Sequence, residues 1–178
     1  MKVRKIILLF LGIALFFGIP VQKIQAQQPS ASISAQVFAE VIAGLTATET
    51  SQLNFGRFAP QEQGGQVHIS PQGVRYATGT LALSGGTFNP ASFHITGEDG
   101  ASFSINLPTA PSVLTNVASS KTMQVSDWVS DPPAGKGAGI LHGGSLAINV
   151  GATLSVGNMN DNPVGIYAGT YSIVFAYD

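Results

Sequence analysis

The side chains best suited to chemistry in this 178-residue sequence are three histidines, His68, His94 and His142. A histidine held beside a serine and an acid would indicate hydrolysis through a covalent intermediate. The serine-containing glycine turn at residues 143–147 only half-resembles a nucleophile elbow, because it lies in a strand-rich region and no helix follows it. We therefore expect no catalytic residues, and a protein that is not an enzyme.

A second group of candidates is a cluster of oxygen ligands, Asn158, Asn160, Asp161 and Asn162, within five residues. Calcium prefers such ligands, but the cluster has a single carboxylate and no distant glutamate to complete the shell. Asparagine and aspartate also form turns through their own side chains, which explains the same residues. The Gly-Lys-Gly at residues 135–137 lacks the spacing of a phosphate loop. We expect neither a metal nor a cofactor.

Charge is distributed unevenly along the chain. Residues 1–26 carry four of the eight lysines and arginines and none of the nine acidic residues, so residues 27–178 have a net charge of −5. An acidic chain with four scattered basic residues has no electrostatic footprint for nucleic acid. Cysteine is absent, which excludes disulfides and thiol chemistry.

The N-terminus has the layout of a secretory signal peptide. A basic start at residues 1–5 precedes the uncharged residues 6–19, and a short stretch after Pro20 ends at Ala26. A spanning helix needs roughly 20 apolar residues, more than this segment offers. We predict cleavage after Ala26, export to the periplasm, cell surface or medium, and no transmembrane segment in the mature chain.

The rest of the sequence positions its side chains on strands. Apolar and polar residues alternate in short runs separated by turn residues, which is typical of an antiparallel all-β sandwich. The predicted strands are residues 31–45, 53–55, 66–69, 76–83, 93–96, 102–107, 123–129, 146–150, 153–156 and 170–177.

The breaks between these runs predict the remaining organisation. Residues 130–139, with two prolines and three glycines, indicate a mobile loop, and residues 98–100 indicate a solvated hairpin tip. With the signal peptide at residues 1–26, we divide the chain into an extension or edge strand at residues 27–39 and a sandwich domain at residues 40–178.

The C-terminus carries the clearest strand signal. Tyr171, Ile173, Phe175 and Tyr177 occupy every second position, so in a strand they share one face. Gly165 lies fourteen residues from the end, and a tyrosine is penultimate. The pattern predicts a half-buried final strand, which would be an aggregation hazard unless another strand pairs with it.

Several short motifs occur in an ordered series. Residues 53–58 read Leu-Asn-Phe-Gly-Arg-Phe, residues 83–93 end in Asn-Pro-Ala-Ser-Phe, residues 103–108 read Phe-Ser-Ile-Asn-Leu-Pro, and residues 169–171 read Gly-Thr-Tyr. Over residues 45–178 this series resembles a family of small secreted bacterial domains, domain of unknown function 4402. In outline such domains are similar to pilin and spore-coat-U-like subunits.

The C-terminal pattern also resembles that of chaperone–usher pilins, which are immunoglobulin-like sandwiches completed by a neighbour's N-terminal extension. The resemblance implies a fimbria-like or cell-surface subunit, joined to further copies or related subunits and assisted by a periplasmic chaperone. The implied assembly strand contains Gly165, Tyr171, Ile173, Phe175 and Tyr177. The implied donor strand contains Ala31, Ile33, Ala35, Val37 and Ala39.

The alternative is a self-complete monomer that binds a glycan or a protein outside the cell. Exposed aromatic residues on a sheet can stack on sugar rings, and Tyr76, Trp128 and Tyr167 are the candidates. Removal of residues 27–39 separates the two hypotheses, because only the assembling subunit would lose its multimers.

Overall fold

The computed structural model of the chain describes residues 31–178, which form eleven strands and no helix. The predicted signal peptide lies outside the described residues. One compact unit spans Glu40–Asp178. The strands are β1 (Thr46–Ser51), β2 (Phe58–Ile69), β3 (Arg75–Leu83), β4 (Ala91–Thr96), β5 (Ser102–Asn106), β6 (Ser112–Asn116), β7 (Thr122–Asp131), β8 (Gly135–Ile140), β9 (Ser145–Val156), β10 (Tyr167–Ala168) and β11 (Val174–Tyr177).

The strands build two antiparallel sheets, which confirms the predicted all-β class. The larger sheet has eight strands in the order β1-β4-β9-β7-β6-β10, with β2 also on β9 and β3 on β2. The smaller sheet has three strands in the order β11-β5-β8. The predicted strands at residues 146–150 and 153–156 are one strand, β9, which pairs with β4 in its first half and with β2 in its second. At Gly151, between the two halves, a Cβ would collide with the Ile69 carbonyl oxygen.

The part of the core that supports the C-terminus lies between the two sheets. Ile95 and Ile148 contribute from β4 and β9, and Phe103 and Ile105 contribute from β5; each of these side chains is fully buried. Burial of such side chains contributes about 1.5–3 kcal/mol each. The two sheets are therefore held together by apolar packing, as a cysteine-free domain requires.

The predicted mobile loop at residues 130–139 is wrong for most of its length. β7 continues to Asp131, and β8 begins at Gly135 and pairs with β5. The glycines favour this pairing, because a Cβ on Gly139 would collide with the ring of Phe103. Glycine here allows two backbones and a buried ring to approach closely.

Two further predictions need correction. The turn at residues 98–100 is not a hairpin tip, because it joins β4 of the larger sheet to β5 of the smaller one. The first predicted strand, residues 31–45, has no strand in the structure, and β1 begins only at Thr46. Sequence alternation is local, whereas these assignments depend on which distant strand accepts the backbone.

Candidate strand-acceptor site

The C-terminal residues alternate in burial as their spacing predicts. Tyr171, Ile173, Phe175 and Tyr177 are half-buried and pack on the core between the sheets, while the residues between them are exposed. The ring of Phe175 lies 5.9 Å from that of Phe93 and 6.3 Å from that of Phe103, measured between centroids. The side chains of this segment thus complete one flank of the core.

The strand itself is shorter than predicted, since β11 covers only Val174–Tyr177 rather than residues 170–177. Gly165 is not part of it. Gly165 lies in a bend before β10, where a Cβ would collide with the amide of Asn116 in the larger sheet. Gly165 therefore packs against the larger sheet, whereas the alternating residues belong to the smaller one. Close packing against Asn116 explains why residue 165 is a glycine.

One edge of β11 has no partner strand within residues 31–178. β11 pairs with β5 alone, and beyond the strand the Asp178 amide donates to the Ser102 carbonyl. Backbone groups alternate in direction along a strand, so those of Ile173, Phe175 and Tyr177 face away from β5. In the described part of the chain these groups have no hydrogen-bond partner. Strand addition requires an unpaired row of this kind.

The inner side of β1 is also uncovered. Ala47 pairs with Ile95, and Glu49 pairs with Phe93. Directly paired residues share a face, and Ile95 is fully buried, so Ala47 and Glu49 lie on the core side of the sheet. Both are nevertheless exposed. The smaller sheet therefore does not extend over β1.

Residues 171–177 lie near β1, since the ring of Phe175 packs near that of Phe93, which is the strand partner of Glu49. At one end the Tyr177 hydroxyl donates to the carbonyl of Ala43, just before β1, and accepts from the Glu98 amide, at 2.9 and 2.8 Å. At the other end burial raises the pKa of Tyr171 to about 12, and the nearby Glu49 carboxylate adds to the increase. We call the region between β1 and residues 171–177 the open edge. The six residues of β1 set the length of this region, because six residues of strand span about 20 Å.

Replacement of Tyr177 by Phe should lower the free energy of unfolding by about 1–2 kcal/mol, since it leaves the Glu98 amide and the Ala43 carbonyl without their partner. Urea unfolding measures the change. Tyr76→Phe is the matched control, because its hydroxyl has no hydrogen bond in the described chain. Equal stability of both variants would contradict this role for Tyr177.

Alkaline titration tests the environment of Tyr171. Below about pH 10 the hydroxyl is neutral in both states; between pH 10 and 12 it ionises in the unfolded chain first, so stability should fall across this window. Ultraviolet absorbance should show a tyrosinate step near pH 12 that Tyr171→Phe lacks. An unchanged step in the variant would assign it to another tyrosine.

The three histidines lie on separate elements and form no cluster. His68 shares a 2.9 Å hydrogen bond with Thr153, while His94 and His142 are exposed on other elements. The amides of Gly143 and Gly144 donate to the Asp99 carboxylate, so this turn is a structural contact rather than a nucleophile elbow.

The asparagine cluster forms the predicted turn. The side-chain oxygen of Asn158 accepts from the amides of Asn160 and Asp161, at 2.9 and 3.1 Å. The buried Asn162 side chain connects Gly157 to Thr122. Within residues 31–178 no three His, Cys, Asp or Glu side chains are grouped to hold a metal.

Sequence reasoning missed Glu49, Ala47 and Trp128 as parts of the site. The Trp128 ring lies 4.6 Å from that of Tyr171, measured between centroids. The Trp128 indole nitrogen and the Tyr171 hydroxyl are buried without a partner in the described part. The residues of β1 are small and polar, unlike those of a buried strand. Only the continuation of the alternating pattern beyond Leu45 could have indicated that Ala47 and Glu49 face the core side.

Fold and site define an antiparallel β-sandwich whose smaller sheet leaves the outer edge of β11 without a partner strand in residues 31–178. The chain belongs to the family described as a domain of unknown function, DUF4402, whose model matches residues 45–177. No curated protein and no solved structure matches it. A helix long and apolar enough to cross a membrane does not occur in residues 31–178.

Proposed function

We propose that this protein is a non-catalytic, exported structural subunit that assembles by accepting a β-strand at the open edge. The observation that carries the proposal is that the backbone of Ile173, Phe175 and Tyr177 has no partner strand within residues 31–178 and lies beside the uncovered side of β1. An added strand would extend the smaller sheet by hydrogen bonding to β11 and would cover Ala47. The subunit is thus immunoglobulin-like and pilin-like in its mode of completion.

The strand that fits this edge is the N-terminal segment of another copy, with Ala31, Ile33, Ala35, Val37 and Ala39 on one face. Ile33 and Val37 are 94% and 92% exposed. Exposure to water is unfavourable for large apolar side chains. Residues 31–39 carry no charge. Nine residues of strand extend about 30 Å, which is enough to span the open edge. Backbone bonds would supply the pairing, and alternate side chains would set its register.

Assembly of this kind requires partners outside the cytoplasm. Further copies or related subunits would supply the donor strand, and a periplasmic chaperone would cover the open edge before assembly, since an unpaired apolar strand aggregates. The predicted signal peptide would direct the chain to the periplasm, with the product at the cell surface or in the medium. A fimbria-like structure is the assembly that such head-to-tail contacts build.

The deciding experiment measures the mass of the exported protein by light scattering after size exclusion, with an unboiled denaturing gel beside it. We expect a ladder of multimers that collapses only on boiling, because many strand contacts must separate together. A monomer at the chain mass in both measurements would overturn the proposal. It would favour the alternative, a self-complete binding module.

A further inference from the structure

The outer side of the larger sheet carries an ordered surface that strand addition does not use. Val67, Leu154 and Val125 face the core, so the residues next to them in β2, β9 and β7 face outward. Strand register places these outward residues in rows that also include β3. One row is Tyr76, His68, Thr153 and Ser126, and the next is Thr78, Gln66, Ser155 and Gln124.

The first row holds an aromatic ring in a fixed position. The ring of Tyr76 stacks on that of His68 with centroids 4.5 Å apart and planes 14° apart. His68 is held in turn by its hydrogen bond to Thr153. Tyr76 remains 52% exposed, so the side of its ring away from His68 is available to solvent. A supported aromatic face loses little side-chain freedom when a ligand stacks on it.

The second row borders a shallow cavity that is largely open to solvent. Its lining includes Gln66, Gln124 and Ser155, whose side chains make no hydrogen bond within the described chain. Asp161 contributes the cavity's single charged group, and no lysine or arginine lines it. Amides, a hydroxyl and one carboxylate complement the donor and acceptor pattern of sugar hydroxyls. The absence of cations disfavours an acidic ligand.

We propose that this outer face binds a neutral oligosaccharide, with one sugar ring stacked on Tyr76 and the next in the cavity bordered by Gln66 and Gln124. Residues two apart on one strand face are about 7 Å apart, so His68 and Gln66 place the two elements within reach of adjacent sugar units. The two rows are built from β3, β2, β9 and β7, so they do not include β1 or β11. An assembled chain of subunits would therefore present the face repeatedly and bind with increased avidity.

The test applies the exported protein to an array of gluco-, manno-, galacto- and xylo-oligosaccharides, with alginate and polygalacturonate fragments as acidic probes. We expect retention on at least one neutral probe and none on the acidic ones. Calorimetry with the retained probe should show that Tyr76→Ala weakens binding about tenfold, as loss of an aromatic anchor does. The double variant Gln66→Ala/Gln124→Ala should weaken it similarly.

Phe88→Ala is the matched control, because this partly exposed ring stacks on Arg75 rather than on the outer rows. Its affinity should equal that of the unmodified protein, and circular dichroism should show all variants folded. Absence of retention on every neutral probe would overturn the proposal. So would unchanged affinity in folded Tyr76→Ala, or preference for the acidic probes.

Discussion

A protein that lacks residues 27–39 should run as a folded monomer, whereas the unmodified exported protein should form multimers. The deletion removes the proposed donor strand but leaves β1 to β11 unchanged, so the open edge stays without a partner. The change in mass should be complete, because each contact in the series depends on the same segment. Light scattering measures the mass, and circular dichroism checks the fold.

Two substitutions test whether association depends on the apolar face of the proposed donor strand and not only on the presence of the segment. Val37→Asp places a charge against the apolar side of the open edge and should weaken association by about a hundredfold or more. Gln36→Asp adds the same charge on the other face and should leave association nearly unchanged. Multimers that survive the deletion, or equal effects of the two substitutions, would show that residues 31–39 are not the donor.

The second large effect is expected from Phe175→Asp. The half-buried ring of Phe175 contacts Phe93 and Phe103, and an aspartate there places an unpaired charge against the core. We expect a loss of about 3 kcal/mol or more in the free energy of unfolding, comparable to a Phe truncation in a core. Urea unfolding measures the loss when the variant is soluble; an insoluble product would agree with it.

The neighbouring Val174→Asp is the control, because this side chain is on the opposite face and 54% exposed. It should cost about 1 kcal/mol or less, as surface changes on a strand do. A soluble, folded and assembly-competent Phe175→Asp protein would contradict our assignment of the inward face. The comparison also removes charge itself as an explanation, since both variants introduce the same carboxylate.

Local sequence patterns were enough for several features of this molecule. The period-two alternation of Tyr171, Ile173, Phe175 and Tyr177 predicts their common face, because strand geometry alone sends alternate side chains in opposite directions. The turn around Asn158 follows from side-chain hydrogen bonds to the next few amides. The all-β class follows in the same way from short alternating runs.

The features that make the site depend on contacts between distant residues. Pairing with β5 makes β8 a strand, although its glycine-rich sequence predicts a loop. The open edge exists because β1 and β11 belong to different sheets and each has one partner strand in the described chain. The register of β2, β9 and β7 brings His68, Thr153 and Ser126 into one row. Alternation assigns each residue to a face of its own strand, but only long-range backbone pairing decides which strands are neighbours and which edge remains unpaired.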